Sequence, residues 1–228
     1  MIQVSGVSKS FTLHQQGGVH LPVMADADLS VKVGECVALT GVSGAGKSTL
    51  MRMIYGNYLC DGGSILVHGM QVVGADPRTI LTLRRETLGY VSQFLSVLPR
   101  VTTLDVVAEP AIAAGMDRTQ ALKRAQELLS LLRIPEALWP LSPLTFSGGE
   151  QQRVNIARGF AYEYPSMLLD EPTASLDGAN RQTVLSLIEA AKKRGASIIG
   201  IFHDEAARAH VCDREINVTN WTPKKAAA

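Results

Sequence analysis

The sequence predicts an α/β fold: a mostly parallel sheet core with a helical lobe inserted into it. Three observations carry this. Short apolar strands alternate with helical stretches, which places helices on the faces of a parallel sheet. The stretch from Thr103 to about Leu132 has helical periodicity and no strong strand candidate. A glycine-rich turn, Gly41 to Ser48, sits between an apolar strand and a helix.

Apolar alternation and β-branched residues predict strands near Ile2–Val4, Leu29–Val33 and Cys36–Thr40. The segment His14–Leu21, with Gly17-Gly18, reads as a hairpin turn or loop. Lys47–Tyr55 is helical, and Ser64–Val67 and Tyr90–Ser92 are short strands. Gly115 divides the helical stretch in two, and Asp117 can cap its second half. Pro135, Pro140 and Pro143 mark a loop ending at Ser147-Gly148-Gly149, and a helix follows from about Glu150 to Tyr162. Ser166–Leu169 is an apolar strand, Gly178–Arg194 a helix stopped by Gly195, and Ser197–Phe202 a buried strand. Trp221 to Ala228 reads as a loose tail.

Composition narrows the function. Of 228 residues, 46% are hydrophobic and 19% charged, which suits a folded protein with a sizeable core. The net charge of +1 supplies no global attraction to nucleic acid, so no nucleic-acid partner is expected. Cys36, Cys60 and Cys212 lie far apart in sequence, without zinc spacing or a disulfide framework, and read as small buried hydrophobes. The N-terminus lacks a secretory pattern, and no segment is apolar for long enough to span a bilayer. The expectation is a cytoplasmic protein, with any membrane supplied by another subunit.

Gly41-Val42-Ser43-Gly44-Ala45-Gly46-Lys47-Ser48 fits G-x-x-x-x-G-K-[ST] without a mismatch, and Thr49 follows it. Glycines let backbone N–H groups turn inward onto phosphate oxygens at a helix N-terminus. Lys47 would reach the β- and γ-phosphates of ATP, and Ser48 would ligate Mg²⁺. A plain glycine turn would explain neither the Lys-Ser pair nor the strand before it. Met167-Leu168-Leu169-Asp170-Glu171 is an apolar strand ending in two acids. Alone, such a pair is more often a cap or a solvated turn. Beside a phosphate loop it reads as a Mg²⁺ partner, Asp170, and a general base, Glu171.

Thr145-Phe146-Ser147-Gly148-Gly149-Glu150-Gln151-Gln152-Arg153 resembles the signature of ATP-binding cassette (ABC) ATPases, with Phe146 in place of Leu and Glu150 in place of Gln. Its Ser-Gly-Gly core begins a helix and offers a second anion-binding N-terminus. The resemblance extends in order over most of the chain. Gln93 matches the glutamine loop that senses Mg²⁺ and water. Asp177, in Ser175-Leu176-Asp177, matches the D-loop, and His203 the switch histidine at the γ-phosphate. Phe11 matches the aromatic that stacks on adenine. The resemblance implies the P-loop ABC fold, with N-terminal antiparallel strands. One ABC domain would span 1–228, its RecA-like core about 1–92 and 163–220 and its helical lobe about 94–162. It also implies an ATP hydrolase that uses Mg²⁺, dimerising head to tail with itself or with a related ABC subunit so that Ser147, Gly148 and Gly149 meet the partner's nucleotide.

Some strings are closer still. Those at His14-Gln15-Gln16, Val91–Leu95, Thr145–Phe160 (TFSGGEQQRVNIARGF) and Gly200–Ala206 resemble L-type ATP-binding subunits of phosphonate carbon–phosphorus lyase systems. Asn155, Gly159-Phe160 and Phe202 weigh most. This implies lyase subunits as partners, and a supporting role in forming ribose 1-phosphonate 5-triphosphate from ATP and an alkylphosphonate, as part of such a synthase. Leu83 to Thr102 also resembles ATPase subunits of membrane transporters and lipoprotein-release exporters, which is the alternative. A third reading, an ATP clamp without hydrolysis, is disfavoured by the intact Glu171 and His203.

Overall fold

The structure, a computed structural model, describes residues 1–13 and 18–223. Two sheets pack back to back through the chain's alternating side chains. The first contains β1 (Ile2–Leu13), β2 (Val19–Val31), β4 (Gly62–Val67) and β5 (Met70–Gln71), ordered β2-β1-β4-β5 and antiparallel. The second contains β3 (Cys36–Thr40), β6 (Leu88–Val91), β7 (Ser166–Asp170), β8 (Ser197–Ile201) and β9 (Arg214–Asn217), ordered β6-β7-β8-β3-β9 and parallel throughout. Strands β7 and β8 are buried at every residue, as expected of a parallel sheet covered on both faces.

Strands β3, β6, β7 and β8 each feed two cores. Met167 and Leu169 pack with Val154, Ile156, Val184 and Ile188 on one face. Leu168 turns to the other, with Leu50, Met51, Ile54 and the antiparallel sheet. This period of two follows from the pleat. Helix α1 (Lys47–Ile54) follows β3 across the glycine turn. The lobe after β6 holds α3 (Thr103–Ala113), α4 (Arg118–Leu131) and α5 (Gly148–Gly159). Asp117 caps α4 through the N–H groups of Thr119 and Gln120, as the sequence predicts. Helix α6 (Gly178–Lys193) ends before Gly195, whose φ of 95° suits glycine.

Several boundaries differ from the sequence expectation. Strands β1 and β2 run 12 and 13 residues, far beyond Ile2–Val4 and Leu29–Val33. Register shifts between Val4 and Ser10 break the alternation that would have revealed them. Of the expected turn at 14–21, residues 14–17 lie outside the described residues, as does the His14-Gln15-Gln16 string, while Val19–Leu21 belong to β2. Helix α5 starts at the signature glycines and stops at Gly159 rather than Tyr162. Helices α2 (Pro77–Thr82) and α7 (Glu205–Val211) were not anticipated, although Asp76 and Asp204 are legible caps. Trp221 closes a turn of 3₁₀ helix and packs on the core, and residues 224–228 lie outside the described residues. Only Cys36 is a buried thiol; Cys60 and Cys212 are half-exposed, and Cys36 Sγ lies 3.6 Å from Cys212 Sγ.

Candidate nucleotide site

Because β3, β6, β7 and β8 are parallel, their carboxyl ends open on one edge of the sheet, where α/β proteins bind ligands. Gly41, Gln93, Glu171 and His203 all lie just past those ends.

The glycine turn is held by geometry that only glycine adopts freely. Gly41, Gly44 and Gly46 have φ of 130°, 79° and 97°. A Cβ on Gly41 would meet Thr219 Oγ1 at 2.9 Å. Lys47 Nζ donates to the carbonyls of Gly41 and Val42 at 2.7 and 3.1 Å, bracing the turn from within. Ser43 and Gly44 are exposed, Ala45 is buried, and Ser48 and Thr49 are half-buried on the first turn of α1. That helix starts at Gly46 with no side-chain cap and no acid in its first turn. Helices α2 through α7 each carry an Asp, Thr or Ser cap. The orphan N–H groups of α1 are thus left to an external anion.

Asp170 is 3% exposed at the end of β7. Burial raises its pKa above the ordinary value; bonds from Tyr90 and Ser48 pull against that, and the Glu171 charge adds to it. Tyr90 Oη donates to Asp170 Oδ2 at 3.2 Å. Burial, then the Asp170 charge, pushes the Tyr90 phenol far up, so it stays a donor. Oxygen donors from one hydroxyl and one buried carboxylate suit Mg²⁺, which completes its shell with phosphate and water. Among the described residues no three His, Cys, Asp or Glu side chains form a cage, and this mode of binding needs none.

Glu171 sits between two partners. His203 Nε2 lies 2.7 Å from Glu171 Oε1, and Gln93 Nε2 donates to Glu171 Oε2 at 3.4 Å. With the carboxylate ionised, the imidazole nitrogen must carry the proton. The Glu171 backbone has φ of 55°, a strained value for a side chain of this size. Three contacts hold it there: its N–H donates to Ile201 O at 3.0 Å, and its carbonyl accepts from Ala174 N at 3.1 Å and Gln152 Nε2 at 3.3 Å.

The other expected residues do not join this cluster. Ser147 caps α5 in a box with Glu150, and Gly148 opens that helix. Gly149 adjoins the Ser175 carbonyl, 3.7 Å from where its Cβ would stand. Asp177 caps α6 through the Asn180 N–H at 2.8 Å. Phe11 packs edge-on to Tyr58, with ring centroids 5.5 Å apart, under Lys9. Sequence reasoning missed Tyr90 as the partner of Asp170. It also gave no role to Gln152 or Asn155, both buried polar residues of α5. For Asn155 the signal was an amide between Val154 and Ile156; Gln152, among Glu150, Gln151 and Arg153, offered none.

Comparison with known proteins gives the family and the fold. The profile of the ABC transporter family matches residues 24–174. The chain is 35% identical to the lipoprotein-releasing system ATP-binding protein LolD of Shewanella oneidensis, over 96% of this chain and 94% of that protein. It is 34% identical to the macrolide export ATP-binding/permease protein MacB of Shigella flexneri, over 90% of this chain but only 31% of that protein. It likewise spans 32% of a probable export ATP-binding/permease protein of Pseudomonas fluorescens, at 35% identity. A solved ATP-binding cassette in a dimeric post-hydrolysis state with ADP and Pi superposes with a TM-score of 0.86 at 26% identity, covering 96% of this chain and 95% of that one. The sheets and the inserted helices are thus those of the P-loop ABC ATPase fold, and the chain belongs to the ABC transporter family.

Proposed function

We propose that the chain hydrolyses Mg-ATP at the edge built by β3, β6, β7 and β8, as one half of a head-to-tail dimer. The observation that carries this is Glu171, held between Gln93 and His203 beside the phosphate loop. The turn from Gly41 to Ser48, with Thr49, binds the phosphates, and Lys47 neutralises the β- and γ-groups. Phe11 stacks on the adenine. Ser48, Gln93 and Asp170 would hold Mg²⁺, which supplies charge neutralisation when bound. Water attacks the γ-phosphorus, the bond to the β-phosphate oxygen breaks, and Glu171 takes the water proton before passing it to phosphate. Gln93 orients that water, and His203 orients Glu171 and meets the γ-phosphate. Ser147, Gly148, Gly149 and Asp177 serve the nucleotide of the opposite subunit. The sheet core then comprises about 1–92 and 163–220, and the lobe about 94–162.

The partner is an export permease, a reading supported by the lipoprotein-release and macrolide-export relatives over the phosphonate-lyase one. A groove of about 900 Å³ on the lobe, lined by Val97, Leu98, Arg100, Val106 and Ile112, is its docking place. Leu98 in that groove and Phe94, four residues before it, are more than three-quarters exposed. The second reading, a phosphonate-lyase subunit, rests on Asn155, Gly159-Phe160 and Phe202. Phosphate release and nucleotide titration test the chemistry. Glu171→Gln should lower turnover by about 100-fold or more with affinity nearly kept, and Lys47→Ala should lose affinity. Near-normal turnover by Glu171→Gln would remove its role. Purification of the tagged chain from phosphonate-grown cells separates the partners: a permease in detergent supports the exporter, and soluble lyase subunits without detergent support the second reading.

A further inference from the structure

One face of α5 reaches both sides of the Glu171–Gln93 contact. Asn155, 4% exposed, donates from Nδ2 to the Ser92 carbonyl at 2.6 Å. Ser92 directly precedes Gln93. Gln152, one turn earlier, donates to the Glu171 carbonyl. Gly159, one turn later, lets the helix lie against β6, since a Cβ there would come within 2.3 Å of Val91 Cγ2. Spacings of three and four place the three residues on one stripe. An asparagine inside a helix is disfavoured, and burying its amide is costly unless it is bonded. The bond to Ser92 offsets that cost, and close approach at Gly159 permits it. The other end of the same helix is the Ser147-Gly148-Gly149 turn.

We propose that Asn155 is a positioning residue for Gln93 in ATP hydrolysis. Its amide bonds the Ser92 carbonyl rather than Glu171. It fixes the backbone from which the glutamine amide reaches the carboxylate, so that reach follows any movement of the signature turn. The inference rests on the hydrolytic roles proposed above for Gln93 and Glu171. Removing the bond should therefore change turnover and leave nucleotide binding alone.

The test is steady-state phosphate release and fluorescent-ATP binding on the full chain. Asn155→Ala should lower kcat about tenfold, with KM and nucleotide affinity within about twofold. Asn155→Asp keeps the shape, lacks the donor, and should lose at least as much. In a Gln93→Ala background, adding Asn155→Ala should change kcat less than about twofold, because the route is already cut. An unchanged kcat for Asn155→Ala, or the same fold loss with and without Gln93, would overturn the proposal. Glu171→Gln in the same series separates the two levels. If it keeps turnover, the hydrolytic assignment fails; if it is inactive while the Asn155 and Gln93 losses multiply, only the positioning role fails.

Discussion

Glu150 places a carboxylate at a helix N-terminus that the proposed dimer offers to a phosphate. Its Oε2 accepts from Ser147 Oγ at 2.6 Å and Ser147 N at 3.0 Å. The Ser147 hydroxyl, and then its N–H, hold the Glu150 pKa below the usual carboxylate range, so it is charged at neutral pH. That charge satisfies the helix end and opposes an incoming anion. In a Glu171→Gln background, Glu150→Gln should tighten ATP-dependent dimerisation by about two- to fivefold, the size of one exposed charge at a helix end. Ser147→Arg should abolish it by filling the contact. Light scattering across an ATP titration reads both, and weaker association of the Glu150→Gln variant would place its charge away from the phosphate. The glycine turn was legible because its residues are contiguous. Tyr90, Gln152 and Asn155 were not, since their partners lie 80, 19 and 63 residues away.

Between elements, the closest fit is α5 on β6. Gly159 meets Val91 there, and on the same strand Gly89 meets the Tyr164 ring, 2.4 Å from where its Cβ would stand. Neither glycine needs a positive φ, so each is small because of its neighbour. Gly159→Ala gains helix propensity but forces α5 away from β6, for a net loss of about 1–3 kcal/mol. Urea unfolding should show a lower midpoint with an unchanged slope. An unchanged midpoint would mean that the helix shifts freely, and the contact would not register α5. Sequence periodicity placed α3, α4 and α5, whose caps and stops are local. It fell short on β1 and β2, because bulges set by the partner strands interrupt the pattern.

At the scale of the molecule, Asp213 joins distant parts of the chain. It accepts from Cys36 N at 2.8 Å and from Lys192 Nζ at 2.9 Å, tying β3 and α6 to the start of β9. Burial works to raise its pKa, but the Cys36 N–H and Lys192 outweigh it, and the net shift is downward. A depressed folded pKa contributes stability that is complete above the unfolded value and lost as pH falls through the folded one. Asp213→Asn should therefore lower Tm at pH 7, with a deficit that shrinks as the pH falls below the unfolded carboxylate value. Its side chain is 48% exposed, so the effect, after solvent screening, is under about 1 kcal/mol. A deficit that persists undiminished at pH 3 would assign the loss to packing instead.

The sequence by itself determined the α/β class and the local shape of three contiguous runs. Their shape lies in local backbone geometry: glycines at positive φ, a strand ending in acids, a helix starting at serine. Only the tertiary structure decided which side chains meet. Glu171 reaches Gln93 and His203 across 78 and 32 residues, and Cys36 finds Cys212 across 176. Those pairings come from strand order and from α5 lying close on β6. Both depend on long-range packing, which a pattern of neighbouring residues does not encode.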